Sequence, residues 1–228
     1  MSGVVGLLGF FIAWITDPVN WQGEGGITAR LIEHLEYSGI SLLVAAVLAV
    51  PLGLYTGHTG KGAYLVLNSA NAARALPTLG LVVLAVTVTA GGLGPILVPL
   101  IALAIPPMLV NTFTGIRQVD ADLKDAAQGM GMTGAQRLFR VEVPAGLPLI
   151  LLGVRTAAIQ VIATATVAAY AGLGGLGRYI IDGFARQEYE TVVGGSVLVI
   201  ALAMLTQSFF VLIRRIFVSP GIRGAGAS

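Results

Sequence analysis

The chain has 228 residues, 56% of them hydrophobic and 11% charged, and a mean hydropathy of +0.88. A soluble domain carries about 25% charged residues, so this composition excludes a soluble globular enzyme. It indicates an integral membrane protein with several apolar runs near the ~20 residues that a spanning helix needs. A formal net charge of +2 is too small to imply a nucleic-acid partner. With no cysteine, neither a disulfide framework nor a thiolate metal site is possible.

In chain order, residues 3–16 (GVVGLLGFFIAWIT) form an uncharged apolar run. It lacks the basic region and the cleavage site of a signal peptide, and reads as a short first span, with an interfacial segment as the alternative. Asp17 to Gly26 is a polar loop flanked by Trp14 and Trp21, as at a membrane interface. Ile27 to Tyr37 places Ile27, Leu31, Ile32 and Leu35 on one side, which predicts an amphipathic helix on the membrane surface. His34 within it has no companion ligand at metal spacing and reads as an exposed or capping residue.

Gly39 to Thr56 is a span, with Gly53 and Gly57 spaced for close helix approach. After a turn at His58 to Gly62, Ala63 to Ala90 reads as a long, interrupted span. In it Asn68, Asn71 and Arg74 share a helix face, and Pro77 breaks the hydrogen-bond ladder at membrane depth. Such a break is tolerated in lipid only where backbone is buried in protein or lines a cavity. A charge at mid-span also favours a bundle interior or an aqueous cavity. Asn68, Asn71, Arg74, Pro77 and Thr78 are therefore candidates for a solute path, the alternative for Arg74 being a structural role. Pro95 to Phe113 returns across the membrane with a kink at Pro106-Pro107 and carries the further path candidates Asn111 and Thr112.

Asp125 to Pro144 (DAAQGMGMTGAQRLFRVEVP) is the longest polar run in the chain. Its physical logic is that of two short helices around a turn. Asp125 heads the first turn and favours the helix dipole. Small Ala126 and Ala127 permit close approach to a partner, and Gly131 permits a turn that a Cβ would hinder. Pro144 ends the second helix. Leu147 to Ala171 is the next span, with Arg155 near its start and Gln160, Thr164 and Thr166 inside as path candidates. Gly172 to Glu190 reads as a polar, glycine-rich hairpin and Thr191 to Phe217 as the last span. Gly221 to Ser228 reads as a disordered tail.

Gly172, Gly174 and Gly177 match G-x-G-x-x-G, but they follow a span instead of a strand, so a flexible turn at an outer gate, with Gly175, is the better reading. No phosphate-cradling G-x-x-x-x-G-K-[ST] motif occurs, and no catalytic set or metal cluster is evident. Lys and Arg counts place the Asp125–Pro144 loop inside. Eight basic residues (Lys61, Arg117, Lys124, Arg137, Arg140, Arg214, Arg215, Arg223) then face in and three (Arg30, Arg178, Arg186) face out.

The spacing Asp125-Ala126-Ala127, then Gly131, Val141 and Pro144, resembles the EAA loop of permease subunits in ABC importers, with Asp where Glu is more usual. Glu33-His34-Leu35, Arg74 to Leu79, Asn111 to Ile116, Gly129 to Thr133 and Gly172 to Gly177 are similar to the osmoprotectant branch, which serves glycine betaine, choline and carnitine. Arg74 departs from the Gln expected there, which bears on solute identity. The resemblance covers nearly all of residues 27–217. It implies an all-α type I permease fold with five core transmembrane helices and a short N-terminal span. The parts would be an N-terminal segment 1–38, a permease domain 39–217 with a cytoplasmic coupling loop 114–146, and a tail 218–228. It also implies that Asp125, Ala126, Ala127, Gly129, Gly131, Val141 and Pro144 dock an ATP-binding subunit. Two such subunits, a second permease copy and an extracytoplasmic solute-binding protein complete the complex. This chain would itself bind no cofactor, ATP and Mg belonging to the partner. The alternatives are a permease for methionine or another amino acid and an ion-coupled secondary transporter. The latter would need an intramembrane carboxylate.

Overall fold

The computed structural model describes residues 2–64, 66, 68, 77–88 and 92–218. Among the described residues the chain is helical with irregular connections and forms no strand. In order these are α1 (Ser2–Thr16), a 3-10 turn (Pro18–Trp21), α2 (Ile27–Thr59), α3 (Thr78–Val88), α4 (Gly94–Arg117), α5 (Ala121–Gly129) and α6 (Gly134–Arg137). A π turn (Leu138–Glu142), α7 (Val143–Thr164), a 3-10 segment (Ala165–Ala171), α8 (Gly177–Arg186) and α9 (Tyr189–Phe217) follow. Among the described residues four helical runs are long and apolar enough to cross a membrane: Ile27–Thr59, Gly94–Arg117, Gly134–Ala171 and Tyr189–Phe217. α1, at 15 residues, is shorter than a full span needs. Of the expected span over 63–90, the described residues give α3 and scattered helical residues before it; Asn71 and Arg74 lie outside the described residues.

Four expectations are corrected. The surface helix expected over 27–37 and the span after it are one uninterrupted α2 of 33 residues, about 50 Å long. The helix runs straight through Ser38-Gly39, the turn-type pair between the two stretches, with Tyr37, Ser38 and Ser41 buried. His34, expected to be exposed, is fully buried there. Pro144 does not end a helix: it stands in the first turn of α7, within the run Gly134–Ala171. The π turn just before it widens the helix and gives the ring room against the preceding carbonyl. The glycine-rich hairpin expected over 172–190 contains α8, a strongly amphipathic ten-residue helix.

The chain divides into two compact units, Met1–Ser41 with Leu76–Ile101 and Ile159–Leu205, and Leu42–Ala75 with Ala102–Ala158 and Thr206–Ser228. In the first, α1 ends on Asp17, whose carboxylate accepts the Val19 N–H at 2.9 Å. The amide of Asn20 donates to the Trp14 carbonyl at 2.8 Å, and the Trp21 indole donates to the Ile15 carbonyl at 2.7 Å. The loop thus satisfies carbonyls that the end of α1 leaves open. Trp14 is buried, edge-on to Tyr179 at 5.0 Å.

In the second unit, helices touch through glycines. A Cβ at Gly53 would lie 3.0 Å from the Leu109 carbonyl, and one at Gly57 3.0 Å from that of Phe113, so the paired glycines seat α2 against α4 as their spacing predicts. Gly115 and Gly146 face each other as closely, a Cβ on either lying 2.8 Å from the other's carbonyl oxygen. Around these contacts Met108, Ile116, Ala157 and Ala158 are fully buried.

Gly115→Val therefore forces two backbones apart, an overpacking cost of roughly 1–3 kcal/mol. It is expected to lower the melting temperature of the purified protein, whereas Gly39→Ala, whose Cβ meets nothing within 4 Å, is not. Equal melting temperatures for Gly115→Val and the unaltered protein would contradict this packing.

Candidate functional site: a two-helix loop and a glycine-rich turn

The Asp125–Pro144 stretch is built on two helix-end devices. α5 begins at Asp120, whose side chain accepts the Asp122 N–H at 2.8 Å, with Asp122 in the first turn. These two acids, and not Asp125, occupy the dipole-favoured positions; Asp125 stands mid-helix and exposed. α5 ends in a Schellman turn: Met132 N–H bonds the Ala127 carbonyl at 3.2 Å, and Gly131 N–H bonds that of Gln128 at 2.9 Å. Gly131 has φ +78, the left-handed conformation such a turn requires and a side chain resists. α6 then starts with a capping box, the Thr133 hydroxyl accepting Gln136 N–H and the Gln136 side chain accepting Thr133 N–H. Of the residues singled out in sequence, Ala127 is buried, Val141 half-buried, and Asp125, Ala126, Gly129, Gly131 and Pro144 exposed.

A buried polar network ties this loop down. Glu142 is only 1% exposed. His58, in the last turn of α2, donates from Nδ1 to one carboxylate oxygen at 2.6 Å, and Arg137 donates from Nε to the other at 2.9 Å. Arg137 also reaches the Gln128 side chain at 3.4 Å. Lys124 donates to the carbonyls of Ile116 and Arg117 at 3.1 and 3.3 Å, placing a cation on the C-terminal end of α4. Outward from this anchor project Leu123, Met130 (70% exposed) and Phe139 (62% exposed). Sequence reasoning missed Glu142, His58 and these three apolar residues. A lone acid between Val141 and Val143, and a histidine closing an apolar helix, were the available signals.

The glycine-rich turn is held as firmly. Gly172 and Gly175 have φ of +75 and +87. The Gly175 N–H donates to Glu33 at 2.7 Å, and Arg30 pairs with the same carboxylate at 2.9 Å. His34 donates from Nε2 to the Ile162 carbonyl at 2.9 Å, which leaves its Nδ1 buried without a partner among the described residues. A Cβ at Gly174 would fall on the Glu33 carboxylate, and one at Gly177 on the Thr166 backbone. The Tyr179 hydroxyl donates to the Gly25 carbonyl at 2.7 Å. Burial pushes its pKa up to about 12, so it stays a donor at any physiological pH. The turn is thus latched to the start of α2, which a freely flexible turn would not be.

The path candidates are dispersed. In the first unit Pro77 and Gln160 are exposed, Thr164 and Thr166 half-buried, and Thr78 begins α3. The Thr166 hydroxyl is spent on the Ala163 carbonyl at 2.9 Å. In the second, the Asn68 and Asn111 amides donate to the carbonyls of Tyr64 and Pro107 at 2.9 and 2.8 Å. Thr112 is fully buried, its hydroxyl without a partner among the described residues. Among the described residues no cluster of His, Cys, Asp or Glu could hold a metal ion.

Residues 49–224 match the family model described as the inner membrane component of binding-protein-dependent transport systems. A glycine betaine/carnitine/choline transport system permease of Bacillus subtilis is 35% identical over 204 residues, 89% of this chain and 94% of that protein. A choline transport system permease of the same organism is 36% identical, over 81% of this chain and 85% of that one. The osmoprotectant import permease of Salmonella typhimurium is 28% identical, over 91% of this chain and all of its own length (100%). In fold, a chain of the inward-facing MetNI methionine ABC transporter matches with a TM-score of 0.73 at 22% identity, over 85% of this chain and 96% of that one.

Gly131→Val places a Cβ at a left-handed turn, at a cost of roughly 1–2 kcal/mol. Asp125→Ala alters an exposed mid-helix residue and is expected to stay within about 0.5 kcal/mol. Thermal unfolding of both variants in detergent checks this; equal destabilisation would contradict the turn.

Proposed function

This chain belongs to the family of binding-protein-dependent transport system inner membrane components, and on that footing we propose that it is the permease subunit of an ATP-driven importer of a compatible solute such as glycine betaine, choline or carnitine. The observation that carries the reading is the Asp125–Pro144 stretch. It holds two short helices around a left-handed turn at Gly131, a buried polar anchor, and the exposed apolar residues Met130 and Phe139, with Leu123 exposed just before it. An apolar tip on a polar loop suits insertion into a cleft on a partner. The partner in this reading is the ATP-binding subunit, present twice, on the cytoplasmic side. Asp125, Ala126, Gly129 and Gly131 lie on the exposed surface of the loop, while Ala127 packs it from within.

ATP binding and its Mg chemistry belong to that partner, since this sequence carries no phosphate cradle. Closure of the two ATP-binding subunits would displace the loop. The helices continuous with it would then switch a central path between inward and outward exposure. The Lys and Arg counts put the latched glycine-rich turn outside, as part of an outer gate facing the solute-binding protein. A second permease copy completes the path, and the largely exposed apolar surface of α9 leaves room for it as well as for lipid. Relatives named for osmoprotectants align at 28–36% identity over most of their length, against 22% for the methionine transporter fold. The amino-acid alternative is therefore not favoured, and neither is the ion-coupled one.

Two measurements test the reading. In proteoliposomes holding the complete importer, uptake of labelled glycine betaine, choline or carnitine is expected only with ATP and the solute-binding protein; uptake without either would contradict it. Single cysteines introduced at Gln136 and Gln187 are expected to react from the cytoplasmic and external sides respectively. Labelling of Gln136→Cys from outside in intact cells would reverse the orientation and remove the docking role.

A further inference from the structure

We propose that Glu142, clamped between His58 and Arg137, is the positioning residue that transmits movement of the docking loop to the end of α2; the proposal rests on the docking role proposed above. The loop joins α4 to α7 covalently, but it has no covalent link to α2 nearby. His58 and Glu142 are 84 residues apart in sequence. What joins them is one carboxylate with both oxygens engaged, one by His58 at 2.6 Å and one by Arg137 at 2.9 Å.

The geometry favours transmission over simple cohesion. The network reaches both short helices, since Arg137 on α6 also contacts Gln128 on α5. The π turn that carries Glu142 re-aims successive side chains: Glu142 points inward while Phe139 and Arg140 stay exposed. Gly134, at the start of α6, lies against the same imidazole, His58 Nε2 being 3.5 Å from where its Cβ would stand. One residue before His58, Gly57 presses α2 onto α4. A push on Met130 or Phe139 therefore reaches α2 through this buried carboxylate and the imidazole that it holds. Breaking that contact strands a carboxylate away from water, so the contact resists being pulled apart.

The test uses the complete importer in proteoliposomes, comparing His58→Ala, His58→Asn and Glu142→Ala. Asn keeps an N–H at about the position of Nδ1. His58→Ala is expected to co-purify with the ATP-binding subunit and keep its basal ATP hydrolysis. Solute-stimulated hydrolysis and uptake should fall about tenfold. His58→Asn should recover most of the loss. Glu142→Ala combined with His58→Ala should be no worse than Glu142→Ala alone; should Glu142→Ala fail to assemble, the two His58 variants decide. Normal stimulation in His58→Ala, or an Asn variant as impaired as the Ala variant, overturns the proposal. Met130→Asp tests the docking role separately. It should lose the ATP-binding subunit on purification, and full retention with normal stimulation would overturn that role and this proposal with it.

Discussion

A carboxylate taken out of water is tolerated only when its charge is paired and its lone pairs are filled. Glu142 meets both conditions through His58 and Arg137. The conformation of the Asp125–Pro144 loop follows from that requirement. Arg137 must lie on the inner side of α6, and the π turn must bring Glu142 round to meet it. With those side chains turned in, Met130 and Phe139 are left facing out. The polar run is thus not a generic surface loop. Its charged residues include an internal anchor, and two of its apolar residues, Met130 and Phe139, are exposed.

Behind the loop, the helices have little freedom to absorb movement locally. Gly53, Gly57, Gly115, Gly146 and Gly153 bring backbones close enough that a Cβ would have to displace a neighbour. Close-packed interiors of this kind transmit strain. At the glycine-rich turn the same economy recurs, with Glu33 occupying the space that a side chain at Gly174 would need and binding the next N–H. Both segments combine left-handed glycines with a carboxylate reached from α2 or fixed by it. The functional reading depends on this contrast of tightly held segments and an exposed apolar periphery, which is what an importer subunit in lipid requires.

Local chemistry was legible in the sequence, and long-range pairing was not. The left-handed turn at Gly131 follows from glycine between two helix signals, and the close approach at Gly53 and Gly57 follows from their spacing. Asp125 was misread because Asp120, five residues earlier, is the residue that caps the helix. Pro144 was misread because a π turn, which no periodicity announces, absorbs its ring. His34 looked like part of a polar face, yet the carbonyl that receives its N–H is 128 residues away. His58 and Glu142 escaped for the same reason, since each looks unremarkable until the fold brings them together. Asn71 and Arg74 lie outside the described residues, and Asn68, Asn111 and Thr166 spend their polar groups on nearby backbone.

The central claim, that the apolar tip of the loop enters the ATP-binding subunit, is open to one direct measurement. A photo-crosslinking amino acid is placed at Phe139, and in parallel at Phe184, an exposed aromatic outside the loop. Irradiation of membranes containing the whole importer is expected to join the Phe139 site to the ATP-binding subunit and the Phe184 site not to it. A crosslink from Phe184 alone, or none to the ATP-binding subunit from Phe139 in an importer that still transports, would contradict the account.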